Sequence, residues 1–145
     1  MIQHLKTLHK KAEYYLYNYK SLKEELEQAK EDIYLGQKSS IPEYSPKDGY
    51  VSNPTEKAVL LYEKKYEKIE KWLKCIERAF QIVEDENFMK KRMAEMRFFE
   101  GKRIEQIAEA LDIDTTTCWR WKEEFVNLVI MLAIEKNLLR IASNS

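Results

Sequence analysis

Apolar residues recur at alternating steps of three and four from the start of the chain. Leu5, Leu8, Ala12, Tyr15, Tyr19, Leu22, Leu26, Ala29 and Ile33 form this seam. It is the a/d pattern of heptads, kept over about four repeats, and it predicts one long amphipathic helix. Lys23, Glu24, Glu25 and Lys30 fall on the outer faces, while Tyr14 and Tyr17 widen the seam. Gly36 is placed to end the helix, because glycine accepts the left-handed conformation of a C-terminal cap. Residues 37–53 break the pattern with Ser39, Ser40, Pro42, Pro46, Asp48, Gly49, Ser52 and Asn53, so a loop is predicted there. Asn53-Pro54-Thr55-Glu56 then reads as a helix start, with Asn53 as cap and Pro54 at the first helical position. A second seam follows: Val59, Tyr62, Tyr66, Ile69, Leu73, Ile76, Phe80 and Val83. Two matching seams fit an antiparallel hairpin and equally fit pairing with another subunit. Glu84-Asp85-Glu86 closes the segment and is expected to cap the next helix, since acids favour helix N-termini.

From residue 86 the period changes. Phe88, Met89, Met93, Met96 and Phe99 predict one face of a helix ending near Gly101. A short helix should bury Ile104, Ile107, Ala108 and Leu111. A tight turn at Asp112-Ile113-Asp114 should follow, with Ile113 plugging the core and Asp114 capping a third helix. The inner positions of that helix are expected at Cys118, Trp121, Phe125 and Leu128. The string Gln106-Ile-Ala-Glu-Ala-Leu-Asp-Ile-Asp-Thr-Thr-Thr-Cys118 has the spacing of a helix-turn-helix, with the small Ala108 where two helices cross. This phase puts Thr115, Thr116, Trp119, Arg120 and Lys122 on the outer side, where the start of a recognition helix meets base edges in the major groove. Arg120 is the best candidate for a bidentate contact to guanine or phosphate. Lys90, Lys91, Arg92, Lys102 and Arg103 are expected on flanking phosphates.

The 145 residues suit a small domain carrying a helical arm, divided here as 1–84 and 85–145. With 34% charged residues, three Gly and three Pro, the composition favours an all-α fold of long helices. The net charge of zero argues against a protein that coats DNA without sequence preference. Glu100, Glu105, Glu109, Glu123 and Glu124 dilute the field around the third helix. Cys75 and Cys118 have no ligand-spaced neighbours, so neither zinc nor a disulfide framework is expected, and a reducing cytoplasm is the default compartment. No apolar run suits a signal peptide or membrane span. His4 and His9 read as surface residues, the tyrosines at 14, 15, 17 and 19 as helix-interface filling, and the methionines as core filling. There is no phosphate loop, nucleophile elbow or His-carboxylate constellation, so neither an enzyme, a cofactor nor a small-molecule substrate is expected.

Met96-Arg-Phe-Phe-Glu-Gly-Lys102, followed by Ile107-Ala-Glu-Ala-Leu-Asp-Ile113, resembles the fourth region of bacterial sigma-70 factors. Over about residues 12–133 the order of segments resembles the RinA/ArpU group of phage transcriptional regulators. The segments are Tyr15-Leu-Tyr-Asn-Tyr-Lys-Ser-Leu22, a Pro- and Gly-containing loop, Ser52-Asn-Pro-Thr-Glu-Lys-Ala-Val59, Ile76-Glu-Arg-Ala79 and the sigma-like unit. The resemblance implies a phage or prophage activator of late packaging and morphogenesis genes, with Thr115 to Lys122 facing promoter DNA. Trp119, Trp121 and the acids at 123 and 124 depart from that group's usual pattern. The reading is therefore a sequence-specific regulator that binds double-stranded promoter DNA and self-associates. Its helical arm joins subunits or engages bacterial RNA polymerase. The alternatives are a small terminase subunit and an interaction module that binds sigma factor or polymerase without DNA.

Overall fold

A computed structural model describes residues 2–34 and 54–139, and all of the regular structure among them is helical. The helices are α1 (Ile2–Tyr17), α2 (Tyr19–Tyr34), α3 (Pro54–Glu86), α4 (Phe88–Ala94), α5 (Ile104–Leu111) and α6 (Thr115–Glu135). A π-helical turn, Glu95–Phe99, continues α4. The Gly36 cap, the 37–53 loop and the Asn53 cap lie outside the described residues. No described helix is long and apolar enough to cross a membrane.

The single N-terminal helix expected from the first seam is interrupted at Asn18. Both the backbone N–H and the side-chain Nδ2 of Asn18 donate to the Tyr14 carbonyl, at 3.1 and 2.7 Å. A short amide side chain that bonds the backbone one turn back competes with the helical ladder. In α1 the fully buried stripe is Ala12 and Leu16 with Leu8 beside them, one residue out of phase with the expected Tyr15. Tyr15 is half-buried and stacks on Trp72 of α3 at 4.5 Å, nearly parallel.

Contacts divide the chain into two compact units. The smaller, Ser21–Glu70, holds most of α2 and the first half of α3. Leu22 and Leu26 are buried there, and Lys30 bonds Glu70 at 2.9 Å, so α2 and α3 meet within one chain. Val59, Leu60 and Leu61 are exposed, the first of them contrary to the second seam.

The larger unit joins Met1–Lys20 to Lys71–Ser145, so the C-terminal helices share a core with α1 and the second half of α3. The expected positions Leu73, Ile76, Phe80 and Val83 are buried, and Trp72, Cys75 and Ala79 widen the face. Phe80 meets Phe125 at 4.8 Å and Phe99 at 5.0 Å, while Tyr17 lies on Phe98 and Tyr19 on Phe99. Offset and tilted ring pairs of this kind add to the area they bury, so Tyr19, like Tyr15, packs at a helix interface, whereas Tyr14 and Tyr17, expected there too, are exposed. Glu84-Asp85-Glu86 does not cap α4. Asn87 does, its side chain accepting from the N–H groups of Met89 and Lys90. Phe88 and Met89, expected inside, are exposed on the first turn of α4, whereas Met93, Met96 and Phe98 are buried. The π turn, closed by the Glu100 N–H on the Glu95 carbonyl, adds a residue to the turn and brings Phe98 inward. Gly101 at φ 70° and the Lys102 N–H on the Met96 carbonyl, six residues back, close this segment.

Candidate nucleic-acid interface

Helices α5 and α6 are joined by three residues. Ile104, Ile107 and Ala108 are buried, and Leu111 is half-buried. Asp112 takes the left-handed conformation, at φ 58° and ψ 50°, a place that short polar side chains tolerate. The Ile113 N–H then reaches back to the Ala108 carbonyl at 3.0 Å and closes the end of α5. Ile113 itself is only half-buried, so it covers the core edge and does not plug it. Asp114 occupies the N-cap of α6 with extended backbone. Its side chain makes no capping bond, and its carbonyl accepts from Cys118 N–H. At the other end of the pair, Gln106 Oε1 accepts from the Arg103 N–H at 3.0 Å and ties down the start of α5.

The first turns of α6 present Thr115, Thr116, Trp119 and Arg120 to solvent. Their spacing of one, three and one puts all four on one stripe of the helix. Trp119 is 47% exposed, a large aromatic surface with no covering ring among the described residues. Cys118, Phe125 and Val129 lie on the other side of the helix, and they are fully buried, as are Val126 and Ala133 farther along. Trp121 and Leu128, expected inside, are half-buried.

Lys122 corrects the expected interface. It is 5% exposed and points inward, its Nζ 2.6 Å from Oε2 of Glu13 on α1. The ammonium also lies 5.6 Å from the Trp119 ring centroid. Helix α1 packs on α6, so the inner face of α6 turns toward 122 and 126 and is broader than α5 alone requires. Lys122 is removed from the surface that a duplex could touch.

The remaining cations separate in the same way. Lys91 bonds Glu84 at 3.3 Å and lies 3.9 Å from Glu95. Lys90 bonds Glu124 at 2.6 Å, and Arg92 bonds Glu100 at 2.9 Å. That Arg92 hydrogen bond holds the Glu100 carboxyl below the usual carboxylate range and raises Arg92. Lys102 is half-exposed, with Glu100 3.4 Å away. Among the described residues, no ion pair engages the exposed side chains of Arg103 and Arg120. They are the two cations of the expected set with open guanidinium donors.

Two residues outside the expected set shape this face. His9, taken as a surface residue, is half-buried between carboxylates: Nε2 is 3.1 Å from Glu123 Oε1 and Nδ1 is 3.8 Å from Glu13 Oε1. The Glu123 approach lacks the alignment of a hydrogen bond, so it is a charge contact once the imidazole is protonated. Glu13 thus touches both Lys122 and His9. Nothing local marked their contacts with α6, because Glu123 and Lys122 lie more than a hundred positions away, 109 in the case of Glu13 and Lys122. The acids at 123 and 124, which appear in sequence to oppose DNA, are turned toward His9 and Lys90. Burial pushes the Cys118 thiol up, so its sulfur is a neutral, apolar part of the core. No group of His, Cys, Asp and Glu suited to a metal ion occurs among the described residues. Compared with protein-family models, with curated proteins and with solved structures, the chain gives no match.

Proposed function

We propose that this protein is a sequence-specific DNA-binding transcription regulator whose α5–turn–α6 segment is a helix-turn-helix. One observation carries the reading. The first turns of α6 hold Thr115, Thr116, Trp119 and Arg120 exposed, next to a short helix whose Ala108 is buried. A recognition helix needs that arrangement, because its N-terminal residues approach base edges while its other side is anchored in the core. Arg120 supplies bidentate donors for guanine or phosphate, the threonine hydroxyls bond bases or phosphates, and Trp119 packs on a thymine methyl or sugar. Arg103 neutralises a flanking phosphate. The resemblance to RinA/ArpU regulators and sigma-70 region 4 extends the proposal to activation of phage late genes, in contact with RNA polymerase.

Self-association belongs to the same proposal. A protein of zero net charge gains affinity by placing two recognition helices on one duplex. A monomer by light scattering from micromolar to millimolar concentration removes this part.

The test is fluorescence anisotropy with duplex fragments from the neighbouring phage late region, at two salt concentrations. Saturable binding to one fragment should weaken about tenfold or more in Arg120→Ala, with relaxed preference at one base pair. Thermal stability should be unchanged, since Arg120 is exposed and has no ion pair among the described residues. No binding to any fragment, with or without RNA polymerase, overturns the reading.

A further inference from the structure

The larger unit contains an open cleft of about 700 Å³ between the middle of α3 and the end of α6. Its walls carry four cations: Lys71, Lys74 and Arg78 from α3 and Lys136 from the end of α6. Steps of three and four put the α3 cations on one face, at rises of about 4.5 and 6 Å along the axis. Glu135 is the one acid in the lining. Among the described residues, no carboxylate pairs with Lys74, Arg78 or Lys136, whereas Lys90, Lys91, Arg92 and Lys122 all have one within 3.3 Å. Like charges gathered around one cleft favour an anion between them. The less exposed part of the lining is different in kind. It includes the buried Cys75 and the half-buried Leu132, and the lining as a whole is more apolar than polar. Burial pushes the Cys75 thiol up, so this sulfur is a neutral apolar surface.

The end of α6 is built to hold this shape. Asn137 takes the left-handed conformation at φ 62°, and the Leu138 N–H closes on the Ala133 carbonyl at 2.8 Å. Lys136 N–H bonds the Leu132 and Ala133 carbonyls. The helix end therefore satisfies its own carbonyls, which would otherwise oppose an anion, and fixes Lys136 at the rim.

We propose that this cleft binds a small polyanion, phosphate- or carboxylate-bearing, whose apolar part rests on Cys75 and Leu132. The volume and mixed lining suit a small ligand, since such sites are concave and mostly apolar with a few charged groups that orient the occupant. A duplex backbone would call for an open basic surface with no apolar floor. The cleft lies at the opposite end of α6 from Thr115 and Arg120, about 22 Å along the helix axis. It stands independently of whether α6 reads DNA. Should α6 do so, a ligand at one end of the recognition helix is an effector and not a substrate.

The test is titration of the full chain with inorganic phosphate, pyrophosphate, citrate and ADP at constant ionic strength, followed by calorimetry and by backbone amide shifts. At least one polyvalent probe should saturate, tighter than acetate by tenfold or more, with shifts confined to residues 71–78 and 132–138. Lys74→Ala with Arg78→Ala should weaken that binding at least tenfold without changing the melting temperature, because both side chains are exposed. Lys74→Arg should retain it. Separating the ligand classes, ADP binding with no response to citrate assigns a phosphate site, and the reverse a carboxylate site. Absence of saturation by every probe overturns the proposal. So does binding that survives the double variant, or a double variant whose sole defect is in DNA affinity.

Discussion

Removing the carboxylate of Glu13 should cost more stability than removing the ammonium of Lys122, although the two groups form one ion pair. Lys122 is 5% exposed beneath α1, and its Nζ meets Glu13 Oε2 at 2.6 Å. The Glu13 side chain is 25% exposed. Glu13→Ala strands an ammonium in the interior. Breaking a buried pair in this way costs about 3–5 kcal/mol, and water reaching through the Glu13 side reduces it to about 2–3 kcal/mol. Lys122→Met keeps the buried stem and its volume and releases a carboxylate that can hydrate, still 3.8 Å from His9. Its cost is the ion pair less its desolvation, plus about 0.5 kcal/mol for the charge beside Trp119. The sum is about 1 kcal/mol. For a chain of this length each kcal/mol moves the melting temperature by about 3 °C. Glu13→Ala should therefore melt about 6–9 °C lower and Lys122→Met about 3 °C lower, with coupling visible in the double variant. Equal losses would show that Lys122 is hydrated and the pair superficial. DNA binding gives an independent reading. Lys122→Met should leave the salt dependence of affinity unchanged, and a slope reduced by about one would place Lys122 on a phosphate after all.

Phe125→Ala should lose about 3–5 kcal/mol in urea unfolding, because the ring is fully buried against Phe80 and Phe98; a loss below about 1 kcal/mol would deny this cluster its central place. Gly101→Ala should lose about 1–2 kcal/mol from backbone strain alone, since φ is 70° and an added Cβ meets nothing within 4 Å. Gly101→Asn should lose clearly less, and equal melting temperatures for the two variants would contradict the left-handed assignment. Acid titration of stability should show the Glu100–Arg92 contact. The folded Glu100 carboxyl lies below its unfolded value, so its contribution is present at neutral pH and fades as pH falls from the usual carboxylate range through the folded value. Glu100→Gln should flatten that limb of a melting-temperature profile below about pH 5, and an unaltered limb would mean the contact does not persist in solution.

Local rules were legible where a residue's environment is set by its own turn. Pro54 opens α3, Gly101 ends the segment that includes the π turn, and Ala108, Cys118 and Phe125 face inward, each as spacing predicts. Two local devices stayed hidden because they break a period without a Gly or Pro to announce it. The Asn18 side chain adds a second bond to the Tyr14 carbonyl, and the Glu95–Phe99 turn slips the register by one residue, so Phe98 enters the core. A strict period of three and four carries no mark of either event.

The candidate interface was misjudged for a different reason, one of charge and not of period. Pattern reading sends every Lys outward, because an isolated ammonium is too costly to bury. The rule fails where a distant carboxylate supplies compensation, and Glu13 supplies it to Lys122 across 109 positions. The same long-range pairing acts on the acids. Glu123 and Glu124, which lower the charge of the segment when it is counted along the chain, are directed to His9 and Lys90. Lys90, Lys91 and Arg92 in turn are held by acids on other turns. Among the described residues, Arg103 and Arg120 are what reaches solvent without an ion pair from the expected basic set. Two guanidiniums, each with a planar fork of donors, favour oriented contacts over a general attraction to phosphate. A surface of this kind depends on geometry for its affinity, so the proposed binding should discriminate between fragments more sharply than the zero net charge suggests.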